Sequence, residues 1–151
     1  MALKKTTIFI IFILFILLLL CVIGLRINSQ KKRNIMQENK QYEGYLENQI
    51  YGTDVVTLIN KAISANDKNH IEKDEKGQYV SNHQNSILID LVMITDEEKE
   101  ETTTYRMEAI AKVGTSAFIK NFNTVKFECT KKEYHEETGK LAYIELTQKT
   151  I

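Results

Sequence analysis

A thiol, a carboxylate and an imidazole lie near one another late in the chain, at Cys129, Glu133 and His135. All three occupy odd-numbered positions in a stretch that alternates apolar and polar residues, so an extended strand would turn them to one face. Cysteine with histidine is the pairing of an activated nucleophile, and it is also a pair of zinc ligands. Spacing decides against both, because six residues of strand put Cys129 about 20 Å from His135 unless a bulge or turn folds it. Cys129 therefore reads as a small core residue continuing the face of Val125 and Phe127.

Asp67, Asn69, Glu72 and Asp74 offer oxygen ligands over eight residues, yet the spacing and central glycine of a calcium loop are missing. His70 and His83 border turns, where solvated histidines are common. Glu97-Glu98-Lys99-Glu100-Glu101 reads as a soluble loop, with acidic docking as the alternative. The chain has no phosphate-cradling glycine loop, HExxH helix, paired CxxC or nucleophile elbow. We expect no catalytic residue, no cofactor and no metal site, and a protein that is not an enzyme.

The elements that would position any site begin with an anchor. Ile8 to Leu25 is an uncharged run of 18 residues, which as a helix spans roughly 27 Å, about one hydrocarbon thickness. A secretory signal has an apolar core of about 7 to 15 residues and small residues at its cleavage site, whereas here Arg26-Ile27-Asn28-Ser29 comes next. Cys21 is preceded by Leu18-Leu19-Leu20, unlike a lipoprotein leader, and reads as an apolar side chain. The glycine and glutamate of a prepilin are absent around Lys4-Lys5-Thr6-Thr7. The expected layout is a basic tail over 1–6 and an uncleaved single-pass helix over 7–25.

Two cues to orientation oppose each other: Lys4 and Lys5 precede the span, and Arg26, Lys31, Lys32 and Arg33 come after it. A short two-lysine tail starts a bacterial signal-anchor, which exports the domain on its C-terminal side, so we expect an extracytoplasmic domain. Lys31-Lys32-Arg33 reads as a contact for lipid headgroups.

Twenty basic residues balance 20 acidic ones, so no overall field draws in nucleic acid. Cys129 is the only cysteine outside the apolar run, which leaves a domain without an internal disulfide. The absence of proline excludes a Pro-stiffened stalk.

Ile35, Tyr42, Tyr45, Leu46 and Ile50 lie near one stripe of a helix, predicting a stalk over 26–51 closed by Gly52 in a left-handed cap. Tyr42, Tyr45 and Tyr51 would pack on the domain or face a partner. A domain over 52–151 comes next, opening with a helix capped by Thr53 that carries Val55, Leu58, Ile59, Ala62 and Ile63. That helix is expected to stop in a solvated turn at Asn66-Asp67-Lys68-Asn69. A hairpin is predicted around Asp74-Glu75-Lys76-Gly77, and a central strand over 86–94, apolar on both faces. Beyond these come a strand over 102–110, a short helix with Ala117, Phe118, Ile119 and Phe122, and a hairpin of 124–134 with 141–147. Together they predict an α+β fold: a transmembrane helix continuing into a stalk helix, then a small mainly antiparallel sheet with helices packed on one face.

The segments YEGYLENQIYGTDVVTLINKAISANDKNHI, residues 42–71, and EYHEETGKLAYIELTQ, residues 133–148, resemble small single-pass membrane-anchored proteins of clostridial, Gram-positive bacteria. The outline is also pilin-like. The resemblance implies a source and a layout, and brings no catalytic residue with it. Two functions fit: an interaction or assembly subunit of a bacterial envelope complex, pilus-like or secretory, or a membrane-tethered ligand-binding or sensor domain. The expected partners are the lipid bilayer and other membrane or envelope proteins, or further copies of the chain, and not nucleic acid. An exposed apolar patch would favour the first function and a pocket with converging polar groups the second.

Overall fold

The structure, a computed structural model, describes residues 4–96 and 101–149. The acidic string from Glu97 to Glu100 thus lies outside the described residues. The chain divides into two compact units, 1–37 and 38–151. The first is helical: it holds most of helix α1, Lys5–Leu46, and every residue from Ile8 to Leu25 is exposed. This is one helix long and apolar enough to cross a membrane, a property that an anchor shares with a signal sequence.

The second unit is α+β. The last turns of α1 lead to a two-residue strand β1, Ile50–Tyr51, then helix α2, Gly52–Lys68. After a long connection come strands β2, Leu88–Asp96, and β3, Glu101–Arg106, helices α3, Met107–Val113, and α4, Thr115–Phe122, and strands β4, Lys126–Tyr134, and β5, Leu141–Gln148. The sheet order is β1-β4-β5-β2-β3. It is antiparallel except where β5 lies parallel to β2, pairing Ile89 with Ile144 and Leu91 with Leu146. Its inner face buries Ile89, Leu91, Phe127, Ile144 and Leu146 under the helices. As expected, β2 is central, and Leu88, Val92 and Ile94 on its outer face are half-buried.

Several local expectations are corrected. The stalk helix ends at Leu46 instead of running to residue 51, because Ile50 is buried and pairs with Phe127 at the sheet edge. Gly52 has no capping role at the end of a helix; it is the first residue of α2, and a Cβ there would stand 2.1 Å from the Phe122 carbonyl oxygen. Glycine is needed for close approach. The cap position of α2 falls to Tyr51, not Thr53, and the Asp54 carboxylate accepts from the Tyr51 N–H at 3.2 Å.

The predicted first hairpin shrinks to a single bridge between Lys73 and Tyr79, although Gly77 has the expected positive φ of 77°. Tyr79 is buried, and its backbone groups are satisfied by side chains: the N–H donates to Glu108 Oε1 at 2.8 Å and the carbonyl accepts from Arg106 Nη2 at 2.8 Å. No strand partner is required. The strand expected over 102–110 breaks at Arg106. Met107 and Ile110 are buried one helical turn apart, and MEAIAKV consists mostly of good helix formers.

Candidate functional site

Cys129, Glu133 and His135, the set weighed above as a nucleophile or metal site, are not assembled into a cluster. Cys129 is half-buried against the core, opposite Leu146, and its thiol donates to the Lys131 carbonyl at 3.4 Å. Burial is the main cause pushing this thiol up, which disfavours the thiolate a nucleophile needs. A bulge between Cys129 and Lys131 resets the alternation, so that Glu133 stands opposite Tyr143. His135 lies past the strand, buried, with Nε2 donating to the Ser86 carbonyl at 2.7 Å. It ties the β4–β5 turn to the chain entering β2.

The oxygen-rich stretch does not converge either. Asp67 accepts from the Tyr79 hydroxyl and pairs with Lys73 Nζ at 3.8 Å, while Asp74 Oδ1 accepts from the N–H groups of Lys76 and Gln78. Asn69 donates to the Asn85 carbonyl at 3.3 Å. Among the described residues, no group of three or more His, Cys, Asp or Glu is placed to hold a metal ion. His70 and His83 are exposed, and both take positive φ, 53° and 61°. His70 occupies the left-handed position that closes α2, and the next N–H, of Ile71, bonds back to the Asn66 carbonyl at 3.0 Å.

Asn66, expected in a solvated turn, is fully buried. Its Nδ2 donates to the Ile87 carbonyl at 2.7 Å and its Oδ1 accepts from the Ile87 N–H at 2.8 Å, so one amide replaces a strand's pairing just before β2. Nothing in its sequence neighbourhood signals this, since the partner lies 21 residues away.

Among the described residues the domain has several concavities, and two of them contrast in character. The first is polar, about 260 Å³, and lies among the last turns of α1, the C-terminal half of α2 and the start of β5. Its rim is fixed by long-range bonds. Asn39 donates to the Gly139 carbonyl and accepts from the Leu141 N–H, both at 2.9 Å, and Lys140 Nζ pairs with Glu38 at 2.7 Å. Lys61 Nζ donates to the Gln41 carbonyl at 3.1 Å and stands 5.1 Å from the centre of the Tyr45 ring. Tyr42, on the wall, is 2% exposed, and its hydroxyl has no hydrogen-bond partner. Burial, with a smaller push from Glu38, raises its pKa to about 12. An unpaired buried hydroxyl costs about 1–3 kcal/mol. Of the three tyrosines on the predicted stripe, Tyr42 packs into the domain, Tyr45 is half-buried and Tyr51 is exposed.

The second concavity is an apolar groove of about 380 Å³ between β2, β3, α3 and α4. Met93, Ile110, Phe118 and Phe122 form its floor and walls, and Tyr105 and Val113 stand at its edge. Phe118 stacks on Phe122 with ring centres 4.8 Å apart and meets Phe127 at 6.4 Å. Val113 is 70% exposed.

On the outer face of the sheet, the register sets Asp90 beside Glu145, and the Tyr143 hydroxyl donates to Asp90 at 3.0 Å. Burial and then the Asp90 charge push Tyr143 upward, so it stays a donor.

No protein-family model matches the chain, and neither a curated protein nor a solved structure is similar to it.

Proposed function

We propose that the chain is a non-enzymatic, membrane-anchored interaction or assembly subunit of a bacterial envelope complex, pilus-like or secretory, with its domain on the outer side of the cell membrane. The apolar groove beside Val113 carries this reading: an exposed valine next to Tyr105 and Phe122 is surface that a solitary domain gains nothing by leaving in water. The occupant we assign to it is an apolar segment of a second membrane-anchored protein. Tethering supplies the reason. Two chains confined to one membrane meet at a high effective concentration, so a groove that accepts only a few side chains is enough. Export is expected from the short tail with Lys4 and Lys5 acting as the retained end.

A photo-crosslinker attached at Val113→Cys, in a chain whose Cys21 and Cys129 are serine, tests the groove in intact membranes. A discrete adduct with one membrane protein, absent when the label sits on exposed Glu72, is the expected outcome. Equal labelling from the two positions would remove the groove as an interface. Protease added to cells stripped of their wall should digest the domain. Protection that is lost on lysis would put it in the cytoplasm.

A further inference from the structure

We propose that strand β3 is a self-association edge, pairing antiparallel with β3 of a second copy of this chain about a two-fold axis through Thr103. The two edges of the sheet differ in kind. At one, β1 has two residues, too short to template another strand. At the other, β3 runs for six residues, Glu-Thr-Thr-Thr-Tyr-Arg, and Glu101 to Tyr105 are all exposed. Threonine and tyrosine favour a strand, and β3 carries none of the lysine or proline that blunts an open edge.

The sheet's hydrogen bonds fix which backbone groups are open. The Ile94 N–H reaches Gln148 Oε1 on β5 at 3.2 Å, so Ile94 and, by alternation, Val92 and Asp90 turn their backbone groups towards β5. The same phase comes from the far side of β5: the Lys149 N–H bonds the Lys126 carbonyl at 2.8 Å, which leaves Leu146 facing β2 and bonding the residues on either side of its partner Leu91. Leu91 and Met93 therefore bond β3, through Tyr105 and Thr103. Thr102 and Thr104 point their N–H and carbonyl groups away from the sheet, where no described residue meets them. An added strand offers donors and acceptors at that spacing.

Symmetry picks the occupant and the register. Outward residues must meet outward residues, and only a register centred on Thr103 uses both open threonines of both copies: Thr102 of one exchanges its bonds with Thr104 of the other. A shift towards Arg106 would call on a carbonyl that opens α3, and the opposite shift runs past Glu101, the first residue of the strand. The strand's only charges, Glu101 and Arg106, stand at its two ends, so antiparallel pairing brings unlike ends together and parallel pairing like ends. Arg106 Nε already lies 3.4 Å from Glu108, so this charge sets direction more than strength. An edge this short holds two copies together only at high effective concentration, which one membrane supplies. The pairing thus rests on the anchored reading of the apolar helix, and stands whether or not the groove takes a partner.

The test uses the full chain, with Cys21 and Cys129 replaced by serine, mixed with phosphatidylcholine vesicles and oxidised mildly. It carries Thr103→Cys, Thr102→Cys or Glu72→Cys. Two copies of residue 103 would form a non-hydrogen-bonded pair with Cα atoms about 4.5 Å apart, within disulfide reach. Two copies of residue 102 would lie on a diagonal of about 7–8 Å, at or beyond its limit. Thr103→Cys is expected to link at least about tenfold faster than either of the others. In a second measurement, energy transfer between fluorescently labelled copies should fall with Thr103→Lys or Thr103→Glu alone and return when the two variants are mixed, because like charges opposite each other repel and unlike charges attract. Residue 103 is exposed, so the melting temperature should not change. Chains that do not float with the vesicles would overturn the anchoring and the pairing that rests on it. Chains that float yet link equally at Thr102 and Thr103, or not at all at Thr103, would overturn the pairing alone, as would energy transfer that the mixture does not restore.

Discussion

Two concavities of the domain, one polar and one apolar, are held open by different forces. Around the polar cavity, side-chain amides and one ion pair join segments 100 residues apart, as Asn39 does with Gly139 and Leu141. Around the groove, the walls are aromatic rings packed on the core, with Phe118 between Phe122 and Phe127. Directional bonds fix positions and so can select one ligand; packed rings supply apolar area and tolerate many shapes. One small domain thus presents a surface fixed by directional bonds and another fixed by packed rings.

The two surfaces should differ in sensitivity, read by chemical denaturation of the full chain in micelles. Phe127 is fully buried behind the groove, so Phe127→Ala should cost roughly 3–5 kcal/mol. Exposed Lys126, its neighbour, should tolerate alanine, and equal costs would show that the strand's faces are misassigned. On the polar side, Asn66→Ala strands the buried N–H and carbonyl of Ile87 and should cost about 2–4 kcal/mol. Asn66→Leu, of similar size, should rescue none of that loss; a rescue would mean that packing, not pairing, fixes the chain at Ile87.

A third effect is set by pH. Tyr42 has a folded pKa raised to about 12 from an ordinary value of 10.0, so the folded chain holds its proton longer than the unfolded one. Its contribution is complete below pH 10 and is lost as pH rises through 12. Stability should fall by up to roughly 2–3 kcal/mol over that window, and Tyr42→Phe should flatten the fall. A profile unchanged by that substitution would show that the ring is not buried in solution. The smallest effect belongs to the groove's edge: Val113→Ser should move stability by no more than about 0.5 kcal/mol. A larger loss would mean that Val113 is part of the core and the groove is closed.

Much of the fold was legible because its signals are local. The face of Val55, Leu58, Ile59 and Ala62 repeats at helical spacing and is buried as read. Gly139, with φ of 70°, marks the turn between β4 and β5. Other features depend on partners far along the chain. Tyr105 and Met107 look like alternate residues of one strand, but the second belongs to α3, where Ile110 completes its face. The parallel pairing of β2 with β5 has no turn to announce it. The cavity is the extreme case. Its walls come from residues 38–42, 61–69, 85–87 and 140–141, none of which is unusual by itself. Tyr42, on the apolar stripe of α1 with Tyr45 and Leu46, was the hint that this part of the helix packs against something.

The parallel contact between β2 and β5 also governs when the domain can form. β5 is inserted between β4 and β2, so the centre of the sheet stays open until the chain has been made as far as Gln148. Before then β2 has β3 for company on one side and bare backbone on the other. Non-local pairing of this kind pays its loop-closure entropy before any contact repays it, which slows folding. A nascent chain would therefore expose the sticky edge of β2 throughout the synthesis of α3, α4 and β4. That interval is the time in which a chaperone has most to do.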